Sequence, residues 1–179
     1  VDVGGGTARC FEEIPDSVAR CASIRILDLS SSLLNIAQQR ARKHGWTCFE
    51  FQKADAEKNW NLPAPVDFVS FSYSLSMTQK WFNALAEAEK NLKPGGLIAV
   101  VDFYSAWKHE EDPSLRQSWY RRNLFPLWFT RDNVFFKADQ HLYLRDRFET
   151  VSFKKIRFRY PGTPIAVESY LFIGRKRPS

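Results

Sequence analysis

A glycine-rich turn near the start of the chain has the residue types that hold a nucleotide-like ligand. The segment reads Asp2-Val3-Gly4-Gly5-Gly6-Thr7. Because glycine has no Cβ, such a turn lets the backbone approach a ligand closely, and a following helix presents free N–H groups. The turn alone is a weak signal, since dinucleotide-binding folds use similar turns. The dinucleotide fingerprint, however, needs a third small residue where this chain has Arg9.

Two carboxylates follow the turn at positions that suit an adenosine ligand. Asp28 comes about 20 residues after Gly6 at the end of an apolar run, where an acid can accept hydrogen bonds from both ribose hydroxyls. A surface carboxylate that caps the next helix is the alternative, and we favour the ribose role. Asp55-Ala56 follows the next apolar run and can reach an adenine amino group, although an ordinary turn residue explains it almost equally well.

Apolar runs alternate with helical patterns from Val1 to about Phe103. The runs predict strands at Val1–Val3, Ile24–Leu29, Trp46–Phe51, Val66–Phe71 and Leu97–Val101. The 3.6-residue patterns predict helices from Thr7 to Ala19, Ser30 to Lys43 and Thr78 to Asn91, with Ser30 or Ser31 as the cap of the second helix and a break at Pro94-Gly95-Gly96. Strands that alternate with helices indicate parallel pairing with right-handed crossovers.

The alternation stops after Phe103. Residues 104–147 are aromatic and basic, with helical stretches and no clear strand, and Asp112-Pro113-Ser114 predicts a helix start there. Val151–Tyr160 and Ile165–Gly174 then read as an antiparallel hairpin. We therefore predict an α/β fold, a mostly parallel seven-stranded sheet with a C-terminal antiparallel hairpin. It forms one domain over residues 1–179, and because the chain opens inside a strand without Met we expect it to be N-terminally truncated.

Composition excludes some classes of protein and leaves others open. No apolar run approaches the roughly 20 residues that span a bilayer. The three cysteines are odd in number and lack metal-type spacing, which favours a reduced intracellular compartment and no bound metal. The net charge of +6 suits an anionic partner, either nucleic acid or membrane, but a modest excess that only aids solubility is the simpler explanation.

The turn, the two acids and the segment Asn91-Leu92-Lys93-Pro94-Gly95-Gly96 together resemble the successive motifs of class I methyltransferases. The resemblance implies a Rossmann-like fold and S-adenosyl-L-methionine as the cofactor. It implies that Asp2, Gly4 and Gly6 flank the methionine part, with Asp28 at the ribose and Asp55 by the adenine. The predicted cofactor-binding residues are Asp2, Gly4, Gly5, Gly6, Thr7, Asp28, Leu29, Asp55, Ala56 and Ser72.

A narrower resemblance is carried by segments that are not general methyltransferase motifs. They are Ser72-Tyr73-Ser74-Leu75-Ser76-Met77, Val101-Asp102-Phe103-Tyr104, and residues 128–134, 143–150 and 168–176. Together they resemble the methyltransferase half of betaine lipid synthases. That resemblance implies trimethylation of the amino group of a diacylglyceryl-homoserine glycerolipid at the cytoplasmic side of a membrane, the endoplasmic reticulum in a eukaryote. It also implies a fused or separate aminocarboxypropyl transferase as partner, and no nucleic acid.

Aromatic side chains at strand ends could line an amine site. Tyr73 and Tyr104 lie at the carboxyl ends of the fourth and fifth strands, where open α/β sheets bind ligands, and we predict them as substrate-site residues. Core packing is an equally good explanation of both. We identify no dedicated base, and Asp102 could hold the amine or cap the turn. On composition alone, a cap that packs the rings of residues 104–136 on the sheet and forms an ordinary substrate pocket is the slightly better explanation of that segment. The resemblance to betaine lipid synthases favours a lipid-facing role instead, and we expect the segment to bind membranes in a salt-sensitive way, partly through Arg121 and Arg122.

Other functions remain open at this point. A nicotinamide-dependent oxidoreductase would have the same alternation of strands and helices and an acid at the position of Asp28. Arg9 and the terminal hairpin count against it. A methyltransferase that acts on another small molecule or on RNA would use the basic, aromatic segment to grip its substrate. A non-catalytic domain that only binds the cofactor or a membrane is the third alternative.

Overall fold

The computed structural model describes residues 1–108, 110, 112–113, 115–129, 131, 134–159 and 166–178, with only the backbone of Phe125, Pro126 and Trp128. Its strands are β1 (Asp2–Val3), β2 (Ile24–Asp28), β3 (Phe49–Lys53), β4 (Val66–Ser72), β5 (Leu92–Phe103), β6 (Glu149–Arg159) and β7 (Ala166–Arg175). Its α-helices are α1 (Pro15–Ala19), α2 (Ser31–His44), α3 (Trp81–Asn91), α4 (Trp119–Phe129) and α5 (Asp139–Arg147). Short 3₁₀ turns lie at Arg9–Glu13 and Leu75–Met77.

The seven strands form one sheet in the order β3-β2-β1-β4-β5-β7-β6. Strands β1 to β5 are parallel, and β7 runs antiparallel to both β5 and β6. The predicted fold class, with its terminal antiparallel hairpin, is confirmed. Because β1 is parallel to its neighbours β2 and β4, the carboxyl ends of the three strands meet at one edge of the sheet, and the chain order reverses at β1.

Helix α2 shows why a helix could be predicted here from the sequence. The hydroxyl of Ser30 accepts a hydrogen bond from Leu33 N at 3.3 Å, which confirms the predicted cap. Gly45 ends the helix with φ +66°, a left-handed conformation that favours glycine. Between these ends the helix buries Leu34, Ala37 and Ala41 against the sheet.

Several predicted boundaries were wrong. The helix predicted from Thr7 to Ala19 is split into a 3₁₀ turn and α1, because Pro15 starts a new helix and the preceding Ile14 has φ −133°. Pro94-Gly95-Gly96 does not break the chain but bulges within β5, where Lys176 N donates to Gly96 O at 2.8 Å. The described residues after Asp112 are not helical until Trp119, where α4 begins.

The sheet is covered by helices that bury the apolar residues of β4 and β5. Val69, Phe71, Ile98 and Val100 are buried together with Leu85 of α3. Helix α5 places Leu144 in the same core, against the half of the sheet that contains β7. In the described part of the chain, no helix has both the length and the hydropathy needed to cross a membrane.

Candidate functional site

The glycine turn after β1 is held by contacts that exclude larger side chains. Gly4 has φ +68°, its N–H donates to Leu27 O at 2.7 Å, and a Cβ on it would lie 2.5 Å from Ser74 Cβ. A Cβ on Gly5 would lie 2.5 Å from Asp2 Oδ2. At Gly6, with φ +54°, the tip of Leu33 is the only described atom that would come as near as 4.0 Å to a Cβ, so this side of the turn is open among the described residues.

Asp28 at the end of β2 is held by backbone hydrogen bonds. One carboxylate oxygen accepts from Gly6 N at 2.9 Å and the other from Ser30 N at 2.8 Å. The carboxylate therefore ties the glycine turn to the start of α2, and each oxygen keeps a second lone pair for a ligand. Leu29 beside it is 66% exposed, an apolar surface on which a flat ring could lie. This arrangement accommodates both roles considered for Asp28, the helix cap and the ribose contact.

Asp2 lies beneath the turn and is buried. Its Oδ1 accepts a hydrogen bond from Ser70 Oγ at 2.7 Å, whereas Oδ2 has no hydrogen-bond partner among the described residues. Burial in the low-dielectric interior raises the pKa of this carboxyl, more than the Ser70 hydrogen bond lowers it. A buried carboxylate oxygen without a hydrogen-bond partner is a group that a bound cation could satisfy.

The raised pKa of Asp2 makes stability depend on pH. The folded protein holds this proton more tightly than the unfolded chain, so the free energy of unfolding should fall as the pH rises from the ordinary value of 3.8 through the raised pKa. In ligand-free protein, Asp2→Asn should reduce this decrease, and Asp102, whose pKa burial also raises, contributes a decrease of the same sign. Urea unfolding across this pH range measures the slope, and an unchanged slope in Asp2→Asn would contradict the assignment.

The remaining predicted cofactor residues lie around the same edge of the sheet. Asp55 follows β3, where its Oδ1 accepts from Glu57 N at 3.0 Å and its Oδ2 pairs with Lys58 at 3.3 Å. The carbonyl of Ala56 accepts from Trp60 Nε1 at 3.1 Å. Thr7 is half-buried and Ser72, the last residue of β4, is exposed. The structure thus brings the carboxyl ends of β1 to β4 together, while the individual ligand roles stay predictions.

The carboxyl ends of β4 and β5 carry a group of packed rings that we call the aromatic cluster: Tyr73, Phe103, Phe129, Phe136 and Phe158. Phe103 is central to it, with ring centroids 5.1 Å from Tyr73, 5.4 Å from Phe129 and 4.9 Å from Phe136. Four of the rings are only half-buried, and Phe129 is buried. Part of each half-buried ring is therefore accessible to solvent.

The aromatic cluster lies next to the glycine turn. Tyr73 has φ +52°, and the following Ser74 donates its hydroxyl hydrogen bond to Val3 O at 2.8 Å while touching Gly4. Phe135 N donates to Ser76 O at 2.8 Å, which holds the segment before α5 against the same loop. The loop after β4 consequently touches the turn on one side and the aromatic segment on the other.

Tyr104 and Asp102 occupy places that differ from an open substrate site. Tyr104 is 1% exposed and its hydroxyl donates to Leu115 O at 2.9 Å, so the structure favours the core-packing explanation for this ring. Burial raises the pKa of its hydroxyl. Asp102 is buried and accepts from Ser76 N at 2.9 Å and Phe103 N at 2.7 Å, which makes it a cap of the loop rather than an amine ligand.

Sequence reasoning missed a buried ionic cluster around Glu168 of β7. Its carboxylate accepts from Gln117 Nε2 at 2.6 Å and from Arg121 at 3.2 Å, with Lys155 at 3.9 Å. Arg121 therefore points into the protein, and the prediction that it faces a lipid surface was wrong. Glu168 lies far from Gln117 and Arg121 along the chain, and only the tertiary fold brings them together.

Two further features lie apart from this edge. A cavity of about 600 Å³ opens near the amino ends of the strands, lined by Val1, Ile24, Val66 and Phe68 among others. Of the predicted cofactor residues it touches only Asp2. Among the side chains that the structure describes, no group of three or more His, Cys, Asp or Glu is placed to hold a metal ion.

Comparisons with known proteins agree with this geometry. The model of the ubiE/COQ5 methyltransferase family matches residues 1–149. A ubiquinone/menaquinone biosynthesis C-methyltransferase UbiE from Brucella anthropi is 34% identical over 104 residues, which are 58% of this chain and 40% of that protein. The matched part of the chain thus spans well under two thirds of that relative.

Solved structures share the fold at low identity. A SAM-dependent methyltransferase from Methanosarcina mazei superposes with a TM-score of 0.73 at 19% identity, covering 99% of this chain and 92% of that one. The N-methyltransferase NodS from Bradyrhizobium japonicum, in complex with S-adenosyl-L-homocysteine, gives 0.69 at 14% identity, with 98% and 76% covered. The open glycine turn, the fixed carboxylate of Asp28 and the exposed Leu29 fit such a cofactor. The chain belongs to the ubiE/COQ5 methyltransferase family and has the fold of a class I, S-adenosylmethionine-dependent methyltransferase.

Proposed function

We propose that the protein transfers methyl groups from S-adenosylmethionine to the amino group of a glycerolipid of the diacylglyceryl-homoserine type. The observation that carries this proposal is the aromatic cluster beside the glycine turn. Ring faces attract cations, and each added methyl makes the acceptor nitrogen a more persistent cation. The resemblance of the segments around Tyr73 and Phe103 to betaine lipid synthases supports the choice of acceptor. The proposal requires a separate activity that supplies the aminocarboxypropyl glycerolipid.

The cofactor roles follow from the carboxyl edge of the sheet. Asp28 would accept from the ribose hydroxyls, and Leu29, Asp55 and Ala56 would surround the adenine. The turn from Gly4 to Gly6, with Asp2 beneath it and Thr7 and Ser72 at its sides, would take the methionine part. When bound, S-adenosylmethionine supplies an electrophilic methyl group on a sulfonium centre. The residues of this chain contribute alignment and a site from which water is excluded.

An amine acceptor explains why the site needs no dedicated base. The nitrogen must be neutral when it attacks, the first two transfers release a proton, and the third leaves a quaternary cation with no proton to lose. Hydroxyl methylation would instead require a positioned imidazole or carboxylate. Asp102 is occupied by two backbone N–H groups, and His141 is buried between Tyr104 and Tyr170 on the opposite face of the sheet. The described surroundings of the aromatic cluster thus suit an amine better than a hydroxyl.

The proposal predicts that Tyr73→Ala slows the later methylations more than the first. Loss of one ring face removes about 0.5–2 kcal/mol of stabilisation from a cationic nitrogen, or roughly 2- to 30-fold in rate. Partly methylated lipid should then accumulate, which mass spectrometry of the products detects. Tyr73→Phe keeps the ring and loses only the 3.4 Å contact to Ser169 Oγ, so it should behave like the parent. Tyr143→Ala, which removes a ring that packs on Trp81, is the matched control.

Turnover by the full-length protein tests the acceptor directly. The protein is supplied with S-adenosylmethionine and the unmethylated, monomethyl or dimethyl lipid, and each should yield the trimethyl product. Methylation of RNA or of another amine, with none of the three lipids accepted, would overturn the lipid assignment and leave the methyltransferase family intact. Cofactor binding without any transfer would mean that the domain does not catalyse methylation.

Transfer to carbon is the second candidate, because the matched relatives are named ubiquinone/menaquinone biosynthesis C-methyltransferases. The half-buried rings of the aromatic cluster could stack on a flat acceptor as well as attract a cation. The two candidates differ in the bond that forms. NMR of the product made with ¹³C-methyl cofactor distinguishes N–CH₃ from C–CH₃ by chemical shift.

A further inference from the structure

Helix α4 has an apolar face that is turned to solvent. Among the side chains of α4 that the structure describes, the exposed ones are Trp119, Tyr120, Asn123, Leu124 and Leu127. At about 100° per residue these positions fall within an arc of about 140° on one side of the helix. Four of the five are large and apolar, with exposed fractions between 51% and 71%. We call Trp119, Tyr120, Leu124 and Leu127 the α4 stripe.

The other side of α4 is already used by the fold. Arg121 pairs with Glu168, and Phe129 packs against Phe103 in the aromatic cluster. The helix therefore cannot rotate to bury the stripe without breaking a buried ion pair and withdrawing a core ring. Single exposed apolar residues are ordinary on protein surfaces, but four on one face of one helix form a patch of the kind that marks an interaction site.

Basic residues lie beside the α4 stripe. Arg122 lies on α4 itself and donates to Lys108 O at 3.4 Å, so the side chain of Arg122 lies beside the backbone of Lys108. The exposed Arg157 of β6 is close enough to Tyr120 to help lower the pKa of its hydroxyl, after a hydrogen bond with Ser118 and the charge of Arg121. Trp107, 47% exposed, follows β5 at the same end of the molecule. Aromatic and aliphatic side chains ringed by cations match the headgroup and acyl boundary of an anionic bilayer.

We infer that the α4 stripe docks the protein on the surface of an anionic lipid bilayer. The rings of Trp119 and Tyr120 would lie at headgroup depth, with Leu124 and Leu127 below them and the cations of Lys108, Arg122 and Arg157 at the lipid phosphates. Because α4 has Phe129 on its inner side, docking would bring the aromatic cluster close to the membrane surface. The inference does not depend on which acceptor is methylated, since binding is measured without turnover.

The test is co-sedimentation of the full chain with vesicles, using Trp119→Ser combined with Leu127→Ser. On vesicles of phosphatidylcholine mixed with phosphatidylglycerol, the parent should bind at low salt and the double variant at least about tenfold more weakly. Both replaced side chains are exposed, so the variant should fold. Ile36→Ser with Leu142→Ser removes two exposed apolar side chains from α2 and α5 and should bind like the parent. Arg157→Gln should weaken vesicle binding about fivefold, and only on the anionic vesicles.

Three results would overturn the inference. The parent could fail to sediment with anionic vesicles at low salt. The double serine variant could bind as tightly as the parent. Gel filtration could show that the parent self-associates through the α4 stripe without binding vesicles, in which case a second copy of the chain is the occupant.

Discussion

Replacing Asp28 with alanine should weaken the binding of S-adenosylmethionine and of its demethylated product at least about tenfold. A charge-assisted contact to the ribose is worth about 1.5–3 kcal/mol. The carboxylate is also held in place before any ligand arrives, because Gly6 N and Ser30 N donate to its two oxygens. The substitution thus removes both a ligand contact and the link that positions the glycine turn. Titration calorimetry of parent and variant measures the loss.

Two controls separate these contributions. Asp67→Ala removes a carboxylate of the same size at the opposite edge of the sheet, where it pairs with Lys93 at 2.7 Å, and should leave the affinity unchanged. Asp28→Asn keeps one acceptor oxygen and the size of the side chain, so it should retain more of the turn than alanine does. If folded Asp28→Ala binds both ligands as tightly as the parent, Asp28 does not hold the cofactor.

Replacing Gly4 with alanine should destabilise the protein by about 2–5 kcal/mol. The left-handed conformation costs an L-residue roughly 1–2 kcal/mol, and a side chain forced into packed surroundings costs roughly 1–3 kcal/mol more. Here the new Cβ would lie 2.5 Å from Ser74 Cβ, a distance at which one of the two segments must move. Movement of Ser74 also shifts Tyr73, so cofactor affinity and turnover should fall together with stability. Urea unfolding monitored by circular dichroism gives the magnitude.

Gly95→Ala provides a matched control for Gly4→Ala. Gly95 has φ +76°, but no atom of the described residues lies within 4 Å of a Cβ built on it, so alanine there should cost only the conformational energy of roughly 1–2 kcal/mol. The difference between the two variants is the contribution of the contact with Ser74. Adding Ser74→Gly to Gly4→Ala removes the colliding Cβ and should recover part of the lost stability. Equal decreases in the free energy of unfolding for Gly4→Ala and Gly95→Ala would show that the turn relaxes away from Ser74.

The elements could be predicted where their signals lie between neighbours along the chain. The cap at Ser30, the glycine that ends α2 and the period-3.6 burial of Leu34, Ala37 and Ala41 are all local. The predicted boundaries of helices and strands were wrong where a proline or glycine overrides the hydrophobic periodicity. Pro15 splits the first predicted helix, and Gly95 lets β5 continue through a bulge that composition alone marks as a break. The hydrogen bond that decides the first case involves Ile14, which is a near neighbour of Pro15. The hydrogen bonds that decide the second case involve Lys176, which is far from Gly95 in the sequence.

The candidate site likewise has one part that could be predicted from the sequence and one part that could not. The order of motifs, from the glycine turn through Asp28 to Asp55, was enough to predict the cofactor edge, because parallel strands must end on the same side of the sheet. The membership of the aromatic cluster could not be predicted. Tyr73 and Tyr104 both follow strands, yet Tyr73 takes a left-handed turn toward Phe103 and Phe158 while Tyr104 enters the core beneath Leu115.

By itself the sequence determined the alternation of strands and helices, the antiparallel hairpin and the residues that follow β1, β2 and β3 at the carboxyl edge of the sheet, because hydrophobic periodicity and turn chemistry depend on near neighbours. Only the tertiary structure decided which side chains meet across the sheet. The register of β6 and β7 brings Lys155 and Arg157 beside Glu168, and Glu168 draws Arg121 inward. That ion pair orients α4, so Trp119 and Leu127 face solvent while Phe129 packs against Phe103, since a helix at the surface of a protein buries one face and turns the opposite face to solvent.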